Sequence, residues 1–173
     1  MGQGVCYPTR RNRPGFEWKL DRKSIEFVLD RWPVARQATS GADGRPHLVP
    51  IVFARDGEQI FSPVDAKPKS GRELTRVRNV RSRPLVSLII DRYDPDWPRL
   101  WWLRVDGEAR VIEPALTETS PEVARAFDLL HEKYPQYEHT SAATGSPQLI
   151  AIRATATRSG CATGEAAPRS LPG

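Results

Sequence analysis

Three Asp-Gly pairs, Asp43-Gly44, Asp56-Gly57 and Asp106-Gly107, each stand between apolar runs, and they constrain this chain more than any other feature. A type I′ turn needs positive φ at both central residues, and its twist matches that of the strands it joins. Asp-Gly between apolar segments therefore reads as a β-hairpin. The pairs predict strands at 34–40, 46–54 and 59–64, another at 84–91, and two more at 99–105 and 108–113 around the third turn. Helices are few. Asp21 can N-cap one carrying Ile25, Phe27, Val28 and Leu29 that ends at Pro33; a basic loop and short helix fill 67–81; Pro121 opens a third at about 120–133. Six strands, three hairpins and a last apolar stretch at 149–152 make a mainly β chain: an antiparallel barrel or sandwich with flanking helices.

Several of these strands are apolar on both faces. Residues 47–53 read H-L-V-P-I-V-F and residues 85–90 read L-V-S-L-I-I, where a strand in a lone open sheet would alternate. Such strands need a second partner: a subunit, a planar ligand, or both. Pro50 cannot donate to a ladder, so it marks an edge or bulge where a ligand can approach. Residues 1–20 show no sustained period and are expected to form a flexible arm, followed by one domain at 21–154. From 155 to 173 the chain is small, polar and rich in Pro and Gly, the composition of a disordered tail.

At 173 residues and 39% hydrophobic, the chain suits one domain with a real core. No stretch approaches the roughly 18 uninterrupted apolar residues of a membrane span, and the basic N-terminus lacks the apolar region of a signal peptide. Cys6 and Cys161 have no CxxC partner and are expected to be unpaired thiols in a reducing cytoplasm, with no metal site. The net charge of +5 is local. Residues 67–83 carry +6 and residues 1–23 carry +4, leaving −5 on the remainder. Two basic patches on an otherwise acidic domain point to a discrete anion site, and 67–83 lacks the aromatics that single-strand nucleic-acid binders interleave with their charges.

No catalytic constellation is self-sufficient here. His47, His131 and His139 have no HExxH spacing, the serines lie in no GxSxG elbow, and neither GxGxxG nor GxxxxGK[ST] occurs. A cofactor would have to carry any hard chemistry. The best candidate site is 61–84, where Lys67 and Lys69 flank Pro68 and Ser70-Gly71 is expected to lead into a helix. On that helix Arg72 and Arg76 would share a face at i, i+4. Charges, a guanidinium fork and free backbone N–H groups there suit a phosphate, although a basic run can equally be a solvated helix face. The second candidate is R-L-W-W-L-R-V at 99–105. Alternation puts Trp102 and Arg104 on one face and Trp101, Leu103 and Val105 on the other, so one tryptophan can enter a core and the other a cleft.

The order V-A-R-x-A-T-x-x-A-D-G-R-P-H-L-V-P-I-V-F, V-D-A-K-P-K, N-V-R-S-R-P-L-V-S-L and D-x-W-x-R-L-W-W-L-R-V-D-G-x-A-R-V resembles the pyridoxamine-phosphate-oxidase-like family over about residues 25–152. It is most similar to the branch of F420-dependent oxidoreductases. The resemblance implies a six-stranded antiparallel split β-barrel of the FMN-binding type, and a cytoplasmic homodimer with a cofactor at the subunit interface. The cofactor it implies is the deazaflavin F420, with FMN as the alternative; the very basic 67–83 suits the more anionic tail of F420. The ring would lie against Pro50, Ile51, Val52, Ser62, Pro63 and Val64, with Trp102 in the cleft and the phosphate end on Lys67, Lys69 and Arg72. Hydride would pass between the ring and a small organic substrate, with no side chain named as acid or base. A cofactor-binding protein without turnover is the alternative outside enzymes. In that family the last strand continues into a Trp-containing segment; here the apolar pattern stops at Ile152, so one wall of the cleft is expected to be missing.

Overall fold

Asp21 caps the first helix as the sequence predicts: its carboxylate accepts from the Ser24 N–H at 2.7 Å and starts α1 (Arg22–Arg31). The structure, a computed structural model, describes residues 19–64, 73–113, 120–138 and 148–161. Strands β1 (Ala35–Ser40), β2 (Pro46–Ile51), β3 (Ala54–Asp56) and β4 (Gln59–Val64) follow α1. Then come α2 (Thr75–Ser82), β5 (Leu85–Arg92), β6 (Trp101–Ile112), α3 (Pro121–Lys133) and β7 (Gln148–Cys161). None of these helices is long and apolar enough to cross a membrane.

The strands form one antiparallel sheet in the order β2-β1-β5-β6-β7-β4-β3. Its two outer members, β2 and β3, are separated in the chain only by Val52 and Phe53. They are one strand broken in two, the first half pairing with β1 and the second with β4. The break joins the edges of the sheet, and the result is a mainly β split barrel. Tyr134, just after α3, holds the break. Its hydroxyl accepts from the Phe53 N–H at 3.0 Å, and the carbonyls of Phe53 and Pro33 both lie 2.9 Å away, competing for its one proton. Breaking a strand orphans backbone groups, and in a buried place each needs a partner; here one side chain supplies it. Burial pushes the Tyr134 phenol pKa up and keeps it protonated, while the hydrogen bond to the Phe53 backbone opposes the rise.

Two apolar clusters result. Inside the barrel, Phe53, Leu88, Ile90, Trp101, Leu103, Ile150 and Ile152 are buried, with Trp32 edge-on to Trp101 at 4.7 Å. Outside it, α3 lays Val123, Ala126 and Leu130 over Phe61, Leu149 and Ala151. The second face of β4 and of the start of β7 is therefore covered by a helix. The outer face of β2, β1 and β5 is not: Leu48 is 62% exposed and Leu85 70%.

Three expectations need correction. The first two Asp-Gly pairs do form hairpins, with Gly44 at φ +81° and Gly57 at +60°. Asp106-Gly107 does not: β6 runs straight through it, with a bulge against β7 between Asp106 and Gly107. Here glycine serves close approach, since a Cβ at Gly107 would stand 2.7 Å from the Arg153 carbonyl oxygen. The strand expected at 99–105 and that at 108–113 are thus one, and the apolar stretch at 149–152 grows into a 14-residue strand. Residues 155–161, expected in a disordered tail, pair with β6 as far as Trp101 opposite Cys161. The apolar pattern stops because the packing does. Pairing with β4 ends at Arg153, beyond which Thr155 to Arg158 are exposed and, among the described residues, β6 is the sole ladder partner.

Tyr134→Phe tests the closure. It strands a buried N–H at Phe53 and should cost about 1–3 kcal/mol in denaturant unfolding with the slope unchanged. A loss below about 0.5 kcal/mol would mean that the break is held by packing alone.

Candidate functional site

The ladder between β3 and β4 runs from Asp56 opposite Gln59 to Ala54 opposite Phe61 and stops there. Upstream of Ala54 the chain swings away to β1, with Ile51 opposite Ala35 and Pro50 opposite Arg36. Downstream of Phe61, residues Ser62, Pro63 and Val64 keep a partner on one side only, in β7. These two segments are the lips of the split. Pro50, Ile51, Val52, Ser62, Pro63 and Val64, named from the sequence, are brought to this one junction.

The lips differ in character. Pro50 is exposed on the outer face of β2, Ile51 points into the barrel at 5% exposure, and Val52 packs partly against the cluster under α3. On the other lip all three residues are buried. The Ser62 hydroxyl is 1% exposed and has no hydrogen-bond partner among the described residues, on the side shared with Ile60 and Val64. Pro63 has no N–H to give a ladder, which suits a strand edge, and its carbonyl accepts from Arg76 Nη2 at 3.4 Å.

Helix α2 brings Arg76 there. Val77 and Val80 are buried in the barrel core, and Asn79 Nδ2 donates to Thr39 Oγ1 of β1 at 3.0 Å. The helix thus bridges β1 and β4 across the split. It begins at Thr75, with Leu74 as an N-cap that makes no side-chain capping bond, rather than after Ser70-Gly71 as the sequence suggested. Lys67, Lys69 and Arg72 lie outside the described residues, so the expected face shared by Arg72 and Arg76 lies partly outside them too.

Trp102 stands apart. As alternation predicts, Trp101 is buried at 1% and Trp102 is on the outer face, opposite Asp91 and Gly160. A Cβ at Gly160 would come 2.5 Å from Trp102 Nε1, so the indole lies flat against that glycine. In the sheet order β6 is three strands from β2 and two from β4. Trp102 lies opposite Gly160, about 30 Å along β7, at about 3.3 Å per residue, from the partners of Ser62, Pro63 and Val64. Within one chain Trp102 therefore does not line the junction. It belongs instead to the bare outer face, with Leu48, Pro50, Ala38, Leu85 and Ile89. Arginines cross that face, each with an acid: Arg36 on Asp91, and Arg104 and Arg158 both on Asp106 at 3.1 Å. Sequence reasoning missed Tyr134, whose part in the site is to fix Phe53; its spacing from Phe53 carries no local signal.

A junction of this kind can take a flat ring along its open strand edge, with Arg76 at one end. Among the described residues it offers no acid–base pair. No curated protein sequence matches the chain. A conserved hypothetical protein of Mycobacterium tuberculosis has a similar structure: TM-score 0.67, 20% identity, with 95% of this chain and 98% of that one covered. An F420 reductase is similar at a TM-score of 0.53 and 24% identity, covering 76% of this chain and 94% of that one. A FAD-binding protein of Mesorhizobium loti is similar at 0.61 and 18%, covering 82% and 94%. At such identities these likenesses speak for the fold. The sequence itself matches the model of the pyridoxamine 5'-phosphate oxidase family over residues 22–161, through both lips of the split and the whole of β7, and this chain belongs to that family.

Proposed function

We propose that this protein is a homodimeric oxidoreductase that holds a flavin-type cofactor, F420 in preference to FMN, in the split of the barrel at a subunit interface. The observation that carries the reading is the junction itself. One strand breaks at Val52–Phe53, the facing edge of β4 is left open at Pro63, and the chain leaves that edge through V-D-A-K-P-K. Family membership supports the same reading, as does the basic character of 67–83.

The residues present fit such a group. The orphaned Ser62 hydroxyl and the open edge of β4 are polar features that a ring edge would satisfy. Pro50, Ile51 and Val52 would flank the ring on one side, and Ser62, Pro63 and Val64 on the other. Lys67, Lys69 and Arg72 would hold the anionic end, with Arg76 between that end and β4. The bound ring supplies hydride donor and acceptor in one group. The protein's own part is to position the ring, keep water from one face and leave the other open to a small organic substrate. The bare outer face, where Leu48 and Leu85 are exposed, is the natural seat of the second subunit. Trp102 on that face would then meet the partner.

Titration with F420 and with FMN, followed by ring fluorescence, tests the cofactor. F420 should bind at micromolar or better, and Lys67→Ala or Lys69→Ala should each weaken it about 10- to 100-fold, the loss of one charge-assisted bond. Binding of FMN alone would assign the protein to the flavin branch; binding of neither would overturn the reading.

Leu48→Asp tests the dimer by sedimentation. The variant should keep its circular dichroism, sediment as a monomer and lose cofactor affinity together. A variant that stays dimeric with unchanged binding would place the interface elsewhere.

A further inference from the structure

On the α3 side of β3, a cleft of about 340 Å³ opens between the C-terminal ends of α1 and α3, and Lys133 lines it. Its amine donates to the Leu29 carbonyl at 3.0 Å and lies 3.6 Å over the centre of the Phe53 ring. It has no salt bridge among the described residues. The nearest acid on α1, Asp30, is held in a two-point pair by Arg55, with Nε and Nη2 each at 2.8 Å. The other charged or titratable groups around the amine are Arg31 at the end of α1, Glu132 beside it on α3, and Tyr134. Arg31 is exposed and makes no ion pair among the described residues. Ala54 and Leu129 supply an apolar wall.

A lysine in this setting is unlike a surface lysine. Burial drives its pKa down to about 7; Arg55 adds to the fall and Asp30 opposes it. A substantial share of the amine is therefore unprotonated near neutral pH, and desolvation beside a second cation is a recognised way of making a lysine nucleophilic. The Leu29 carbonyl takes one N–H and leaves the lone pair available. A site for a plain anion would instead keep its ammonium protonated.

We propose that this cleft is a second ligand site, in which Lys133 forms a reversible imine with a small aldehyde or ketone bearing a carboxylate, the carboxylate resting on Arg31. The amine nitrogen attacks the carbonyl carbon and a C–N bond forms. A proton passes from nitrogen to the former carbonyl oxygen, which leaves as water. One water is released for each imine formed, nothing is oxidised or reduced, and hydrolysis reverses the step. The site is independent of the cofactor reading, since it uses none of the residues assigned to the ring or its anionic end.

The test is reductive trapping of the full chain with glyoxylate and cyanoborohydride, read by intact mass and peptide mapping. The chain has five lysines, so the distribution of label is decisive. The expected result is one dominant adduct, at Lys133, whose rate rises with pH through a midpoint of about 7 rather than near the ordinary lysine value of 10.5. Lys133→Arg keeps a donor for Leu29 but cannot form an imine, and should abolish that adduct while the protein still melts cooperatively. Arg31→Gln should slow labelling by glyoxylate about fivefold or more and leave labelling by acetaldehyde unchanged. Label spread over the lysines according to exposure, a midpoint near 10, or equal loss of both labels on Arg31→Gln would each overturn the proposal.

Discussion

The barrel depends on a hydroxyl group. A strand that pairs first with β1 and then with β4 must break, and a break inside a core leaves an amide without a ladder partner. The Tyr134 hydroxyl takes the Phe53 N–H at 3.0 Å and lies equally close to two carbonyls. Packing alone could not do this, because an unpaired buried N–H costs about as much as several apolar contacts contribute. Because Tyr134 immediately follows α3, the same bond fixes that helix against the barrel. It also fixes Phe53, whose ring is the floor beneath Lys133. One residue thus contacts both the split and the floor of the cleft behind it.

Covering is unequal around the barrel. Helix α3 buries the outer face of β4 and of the first part of β7, and α2 seals the end between β1 and β4. Nothing within the described chain covers β2, β1 and β5, although Leu48, Leu85 and Ile89 are as apolar as a core. The arginines on that face are paired with aspartates, so it is not a field of uncompensated charge. A face of this kind suits association with another protein surface better than a polyanion.

Much of this was legible in advance where local chemistry and tertiary packing agree. Asp21 caps α1, Gly44 and Gly57 turn hairpins, and the two tryptophans at 101 and 102 face opposite ways, because capping, positive φ and strand alternation are local properties. Gly107 was misread because one residue type serves two ends, turning a chain or letting another strand come close, and the choice depends on what lies opposite. The end of β7 was missed for a related reason. Its residues Thr155, Ala156 and Thr157 carry little apolar pattern because little packs on them, yet β6 still gives them a ladder.

The junction shows the same division. Its two lips were named from the family resemblance, while an interrupting proline in one strand and a basic run after another, features of composition and order, marked their neighbourhood. That they meet, that Arg76 reaches Pro63, and that a tyrosine 81 positions away holds the break, were decided by tertiary structure. The sequence by itself determined the class of fold, the family likeness and where the basic run lies, because each rests on local order and composition. Only the folded chain decided where the strand breaks, which faces are covered and which lysine loses its solvent, because burial and hydrogen-bond pairing depend on residues far apart in the chain.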